Sequence, residues 1–321
     1  MKRFGRGGLS FVMALVILIV ILLVVASVAA ILFLPVRTLT VDEQRSISVM
    51  SEIDRINFNS NVEIGMIQIG FADLAPNLVM MTVQGTGMLS MVSNQDPVQV
   101  TLSYTVDGNV LNAYANVSID SITTGYTFTE MRTDILISKG LLTNIDAEAK
   151  IGNLKLLAQS GSVLGNVTVK TATGSSTVTM TSGAILKGDV LVETSTGATY
   201  LNWNNVDLRQ DCTVRLKTTA GSVVANVTQY SSMAGNVTLN GQATTGGMTL
   251  NMNIRNPNSG RVASHTNIGE IEVEQKTGFS GPDTLLTSSN FAASGTQWFD
   301  VNLNTNTGGI KLNLSYQAQL T

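Results

Sequence analysis

The chain has 321 residues, a formal net charge of −3 and a single cysteine. That charge argues against the basic face that nucleic acid requires, and one thiol excludes an internal disulfide. Only 13% of residues are charged and 5% aromatic; Thr, Ser, Asn and Gly fill the space, residues suited to strands and turns and poor at sustaining helices.

No charge falls between Leu9 and Leu34. A helix of about 20 apolar residues spans a bilayer, so this longer segment predicts a tilted transmembrane helix ended by Pro35. Lys2, Arg3 and Arg6 precede it and only Arg37 follows closely. The positive-inside bias then places residues 1–8 in the cytoplasm and everything after the anchor outside the cell. The expectation is a single-pass cell-membrane protein whose lipid contact is Leu9–Leu34. A secretory signal cleaved at Ser27-Val28-Ala29 competes with this reading, although Ile31–Leu34 continue the apolar run. Arg6-Gly7-Gly8-Leu9-Ser10 also resembles the short basic leaders of archaeal pilins and archaellins. Cleavage near Gly7-Gly8 would make the chain a filament subunit, and that alternative stays open.

Residues 35–56 form a juxtamembrane linker. Within it Thr40-Val41-Asp42-Glu43 fits a capping box, which predicts a short helix over Asp42–Ile56. From Asn57 the apolar residues alternate, as in Leu78–Val83, Val98–Tyr104 and Val110–Ile119, and residues 57–150 read as an N-terminal β region. Asp107-Gly108 marks a two-residue hairpin turn.

Residues 151–321 carry a repeat. Asn166–Gly174 recurs as Asp189–Gly197 and Thr213–Gly221: alternating apolar and polar residues, then a small polar turn closed by glycine. Weaker copies end at Gly161, Gly278 and Gly308. Glycines 174, 197 and 221 lie 23 and 24 residues apart, a period of stacked supersecondary units. The expected fold is all-β, a right-handed β-helix or β-solenoid with Val/Leu columns inside and Thr, Lys and Glu outside; an antiparallel β-sandwich is the alternative. The interval Gln229–Thr266 departs from the period.

The ordered series Asp134–Gly140, Asn144–Leu156 and the repeats ending at Gly161, Gly174, Gly197 and Gly221 resembles the putative-adhesin family, close to auto-transporter adhesin heads. The resemblance covers 57–314 and implies a β-helix-like ectodomain with a surface role in adhesion or envelope structure, and no catalytic residues. Gly188-Asp189-Val190 is similar to the strand repeats of bactofilins, whose cytoplasmic location conflicts with the orientation above.

Catalytic chemistry has little to work with. His265 is the only histidine and Cys212 the only cysteine, so a nucleophile–base arrangement would have to pass through them, and zinc would need more ligands. No enzyme activity and no cofactor is implied. Glu270, Glu272 and Glu274 alternate along one strand and are weak calcium candidates. Asn116, Asn166, Asn226, Asn236 and Asn313 head N-x-S/T sequons and are candidate glycan acceptors. Trp203 is expected in the core, and Trp298-Phe299 is a candidate contact patch. The expected partners are surface glycans or other envelope proteins.

Overall fold

The period read from the glycines becomes a stack of coils. The computed structural model describes residues 15–24, 36–49, 52–90, 97–119, 126–291, 293 and 295–318. A helix, α1, covers 15–24; the rest of Leu9–Leu34, the Gly7-Gly8 leader and the Ser27–Ala29 site lie outside the described residues. No helix among the described residues is long and apolar enough to cross a membrane.

Everything else ordered into elements is strand: β1 (Val36–Ser48), β2 (Arg55–Ala72), β3 (Asn77–Ser90), β4 (Val98–Asp107), β5 (Val110–Ile119), β6 (Tyr126–Ser138), β7 (Leu142–Ala158), β8 (Val163–Met180), β9 (Ile185–Leu186), β10 (Val190–Asn204) and β11 (Asp207–Leu208). The chain continues through β12 (Cys212–Ala220), β13 (Val223–Gln229), β14 (Val237–Thr245), β15 (Met248–Arg255), β16 (Asn258–Ile268), β17 (Ile271–Thr277), β18 (Phe279–Ser280), β19 (Leu285–Ser288), β20 (Gln297–Thr307) and β21 (Ile310–Gln317). They join one large mixed sheet.

The repeat strands pair in parallel, which replaces the antiparallel sandwich alternative. Val167 of β8 lies beside Val190 of β10, Val190 beside Val214 of β12, and Leu239 of β14 follows Val214. A second side stacks equally, Leu201 beside Ala225 of β13 and then Leu250 of β15. The short β9 and β11 form a third side over the start of β8. Valines and leucines of successive layers are buried in one continuous apolar core, the gain that makes stacking favourable.

The corners are built on glycine. Gly65, Gly152, Gly174, Gly197, Gly221, Gly246, Gly308 and Gly269 all have φ between +120° and +148°. They stack so closely that a Cβ on Gly174 would lie 1.6 Å from the carbonyl oxygen of Gly152, and one on Gly197 1.7 Å from that of Gly174. Three residues before four of these glycines, Thr171, Thr194, Thr218 and Thr305 are buried. They point inward, contrary to the outward placement expected of threonine, because their hydroxyls donate to carbonyls at the corner, as Thr218 does to Gly197 at 3.1 Å and Thr305 to Gly246 at 3.1 Å. A hydroxyl so paired escapes the cost of burial.

Gly161 and Gly278 are not in this column. Gly161 belongs to a second corner with Gly140 and Gly183 (φ +81° to +85°), joined by backbone hydrogen bonds from Gly140 to Gly161 and from Gly161 to Gly183. Asn205, at φ +48°, takes the corresponding corner one coil later, a conformation asparagine tolerates. Gly278 sits in the turn before β18.

Three further expectations are corrected. The described residues of Asp42–Ile56 form no helix: β1 pairs antiparallel with β3, Val41 opposite Gly85, and buries Leu39, Val41 and Ile47. The cross-strand ladder and this alternation prevail over the capping signal. The interval Gln229–Thr266 is regular as far as Arg255, since β14, Gly246 and β15 form a full coil, and departs from the period only from Asn258, where β16 pairs with β20 instead of β14. The position 150/151 falls inside β7, which lies on β2 across 87 residues of sequence, Asn144 beside Asn57.

The two ends depart from chain order. β2 is stacked between β7 and the strands β5 and β6, whose outer edges are closed by β4 and β3 in antiparallel pairs. At the other end β20 and β21 lie against β14 and β15 across 62 residues, and β16 and β17 lie outside them. The last strands of the chain thus form an inner layer.

Candidate binding face

Asparagine explains much of the outer surface. Asn226 donates to Asn202 at 2.9 Å, Asn251 to Asn226 at 2.7 Å and Asn313 to Asn251 at 3.0 Å. Each amide donates to one layer and accepts from the next, the strand-stack form of a cross-strand pair. A second row joins Asn112, Asn57 and Asn144 at 2.8 and 2.9 Å. Two of the sequon residues, Asn226 and Asn313, are therefore rungs whose Nδ2 groups already donate. Asn166 and Asn236 use their Oδ1 atoms to accept the backbone N–H of Asp189 and Trp298.

One stretch of the same face is different. On β5, β2 and β7 the pairing sets Tyr114, Asn59 and Asp146 in one row and Asn116, Asn61 and Glu148 in the next. These six side chains surround a groove of about 230 Å³. Tyr114 is 46% exposed; Asn61, Asp146 and Glu148 are exposed and Asn59 and Asn116 half-buried. None of the six has a side-chain hydrogen bond to another described residue, whereas asparagines one row away are paired in ladders. A second groove of about 300 Å³ shares Asn59 and Asp146 and continues over β8 past Asn166 and Thr168. At the edge of the face Glu63 is held below the ordinary carboxylate range, first by Lys150 Nζ at 2.6 Å and then by the N–H of Ile119 at 2.7 Å.

The residues singled out for chemistry stay apart. His265 is exposed with its Nε2 2.9 Å from Asn267 Oδ1, and its neighbour Ser264 is buried. Cys212 is buried, and desolvation first, with Asp189 and Asp211 adding, pushes its thiol up to about 12. At pH 8 the native thiol is therefore protonated and covered. Iodoacetamide is expected to label Cys212 in denaturant and not in the native protein; equal labelling in both would contradict this burial.

Glu270, Glu272 and Glu274 lie on or beside β17, the outermost strand of its side, and all three are exposed. Glu274 occupies a register shift and pairs with Lys311, which lowers its pKa. Among the described residues no three His, Cys, Asp or Glu side chains converge on one point. Trp203 is buried, and its Nε1 donates to the buried Gln229 at 2.8 Å. The Trp298-Phe299 patch does not form: Phe299 is 0% exposed and edge-on to Trp203, and Trp298 is half-buried against Phe291.

No family model matches the chain, and no curated protein matches it. Among solved structures it is similar to a putative cell adhesion protein from Clostridium sporogenes at 12% identity and a TM-score of 0.40, covering 88% of this chain and 100% of that one. It is also similar to a putative adhesin from Bacteroides fragilis at 15% identity and a TM-score of 0.32, covering 87% and 97%. A third, described as a putative lipid binding protein from Parabacteroides distasonis, has 15% identity, a TM-score of 0.28 and the same coverage.

Proposed function

We propose that this chain is a membrane-anchored surface module that acts by binding, its adhesin-like β-solenoid held outside the cell by the helix within Leu9–Leu34. The observation that carries the reading is the groove beside Tyr114. Beside a row of asparagines paired in a ladder, six polar side chains stand without side-chain hydrogen bonds, on rigid strands, where a ligand can use them. The anchor rests on the uncharged Leu9–Leu34 and the basic residues before it. The envelope or another cell supplies the partner. The charge pattern and the separation of Ser264, His265 and Cys212 support binding over catalysis.

Proteinase treatment of intact cells expressing the full chain tests the orientation. It is expected to release a β-rich fragment beginning after the anchor, and that fragment is expected to adhere to cells. Protection of the whole chain until the cells are opened would overturn the reading.

A further inference from the structure

We infer that the groove between β5, β2 and β7 is a carbohydrate site that takes a neutral oligosaccharide, with one pyranose ring laid against Tyr114. The inference rests on the binding-module reading above and gives that module its ligand class.

Three properties of the groove point to a sugar. First, Tyr114 is an aromatic ring nearly half exposed on the face of a paired strand, so holding it in place for a ligand costs little entropy. A pyranose ring has an apolar C–H face rimmed by hydroxyls, and this groove has the matching arrangement: one ring, then amides and carboxylates around it. Second, the register places Asn59 and Asp146 in line with Tyr114 on successive strands, and Asn116, Asn61 and Glu148 in the next line. Carboxylates accept from two hydroxyls at once, and amides both donate and accept, as a polyol requires. Third, the groove holds two carboxylates and no cation. Lys150 is engaged by Glu63, and Lys170 lies one strand beyond, beside Glu148 in the register. Anionic sugars, phosphates and nucleic acid are thereby disfavoured, and a groove that is open along the strand face, with a single aromatic ring, disfavours an enclosed lipid chain.

The length of the ligand follows from the second groove. The two share Asn59 and Asp146 and together cross β5, β2, β7 and β8. Three strand spacings amount to about 14 Å, more than one ring occupies, so the site suits a chain of sugars running along the stack, across the strands. Asn116 is also a sequon residue. In this assignment it is a ligand contact, because a glycan attached there would fill the groove it lines.

The test uses the full chain in nanodiscs against uncharged tetrasaccharides of glucose, galactose and N-acetylglucosamine, with acidic oligosaccharides and basic peptides as comparators. At least one neutral tetrasaccharide is expected to bind. Tyr114→Ala should weaken that binding by about tenfold, as for an aromatic anchor at the centre of a contact. Asp146→Asn should weaken it comparably, Tyr114→Phe should retain the affinity to within about threefold because the ring is kept, and Tyr200→Ala on another side of the stack should change nothing. Unaltered melting of each variant shows that the fold is intact. Failure to bind any neutral tetrasaccharide, binding that ignores both Tyr114→Ala and Asp146→Asn, or capture of basic peptides alone would overturn the inference. If the released fragment still adheres to cells while these fail, only the ligand class falls. If the chain is protected in intact cells, it is the surface reading that falls, whatever the purified protein binds.

Discussion

Gly197→Ala is expected to leave the stack unable to fold at 37 °C. At φ +131° an L side chain is strained wherever it has room, and here it has none: the new Cβ would lie 1.7 Å from the Gly174 carbonyl oxygen. Moving Gly174 aside offers no relief, because Gly174 is itself pressed against Gly152 and Gly221 against Gly197. A rigid overlap in a continuous column places the loss above about 5 kcal/mol, comparable to the whole stability of an ordinary domain. Gly161→Ala is the control. Its Cβ would meet nothing nearer than Lys139 Cδ at 3.4 Å, leaving mainly the left-handed backbone cost of about 1–2 kcal/mol. Urea unfolding followed by far-ultraviolet circular dichroism separates the two; equal midpoints would contradict the column.

The second large effect is expected from removing residues 296–321. This deletes β20 and β21, and with them Phe299, Val301, Leu303, Ile310, Leu312 and Leu314, all buried. At about 2 kcal/mol for each side chain the loss is roughly 12 kcal/mol, before counting the faces it uncovers. β14 and β15 lose their neighbour on one side, and β16 and β17 lose the layer whose strand ladders pair them to the stack. Limited proteolysis of the truncated chain should therefore cut within 256–295, while the coils from β7 to β13 are digested more slowly. Retention of full-length resistance in 256–295 would show that β16 and β17 can dock elsewhere.

The sequence revealed the coil where consecutive layers follow one another. Gly174, Gly197 and Gly221 carry the inward threonine three residues earlier and keep a nearly constant spacing, so their stacking could be anticipated. Gly152 and Gly65 occupy the same column but follow Ala149 and Val62 at that place, and the threonine signature is lost. Gly246 was concealed by Gly241, which sits inside β14 and breaks the alternation. Gly161 closes a turn with similar chemistry at a different corner, and a linear pattern does not distinguish corners. Composition reports polarity and so places these threonines outside, whereas a hydroxyl bonded to a corner carbonyl is as readily buried as valine.

The groove was not legible for a different reason. Tyr114, Asn59 and Asp146 become neighbours only because β2 is held between β5 and β7, and Asn57 and Asn144 in the adjoining row are 87 residues apart. No local window contains the site. The ladder asparagines and the unpaired ones are the same residue type in similar strands, and only the register separates a rung from a ligand group. Reading the five sequons as equivalent acceptors had the same limit, since Asn226 and Asn313 already donate within the ladder.

The inner position of β20 and β21 also fixes an order in time. Layers from β7 to β15 can settle each on its predecessor as the chain emerges, because every new strand finds its neighbour already present. The segment 258–277 cannot: it is made before the layer it rests on. It must wait, with its apolar side chains uncovered, until residue 317 is free to enter beside β15, and only then does the far end close. Contacts across 62 residues carry a larger loop-closure cost than those across 23. Completion of the stack is thus tied to the arrival of residues 297–317, and until they are in place the far end stays open.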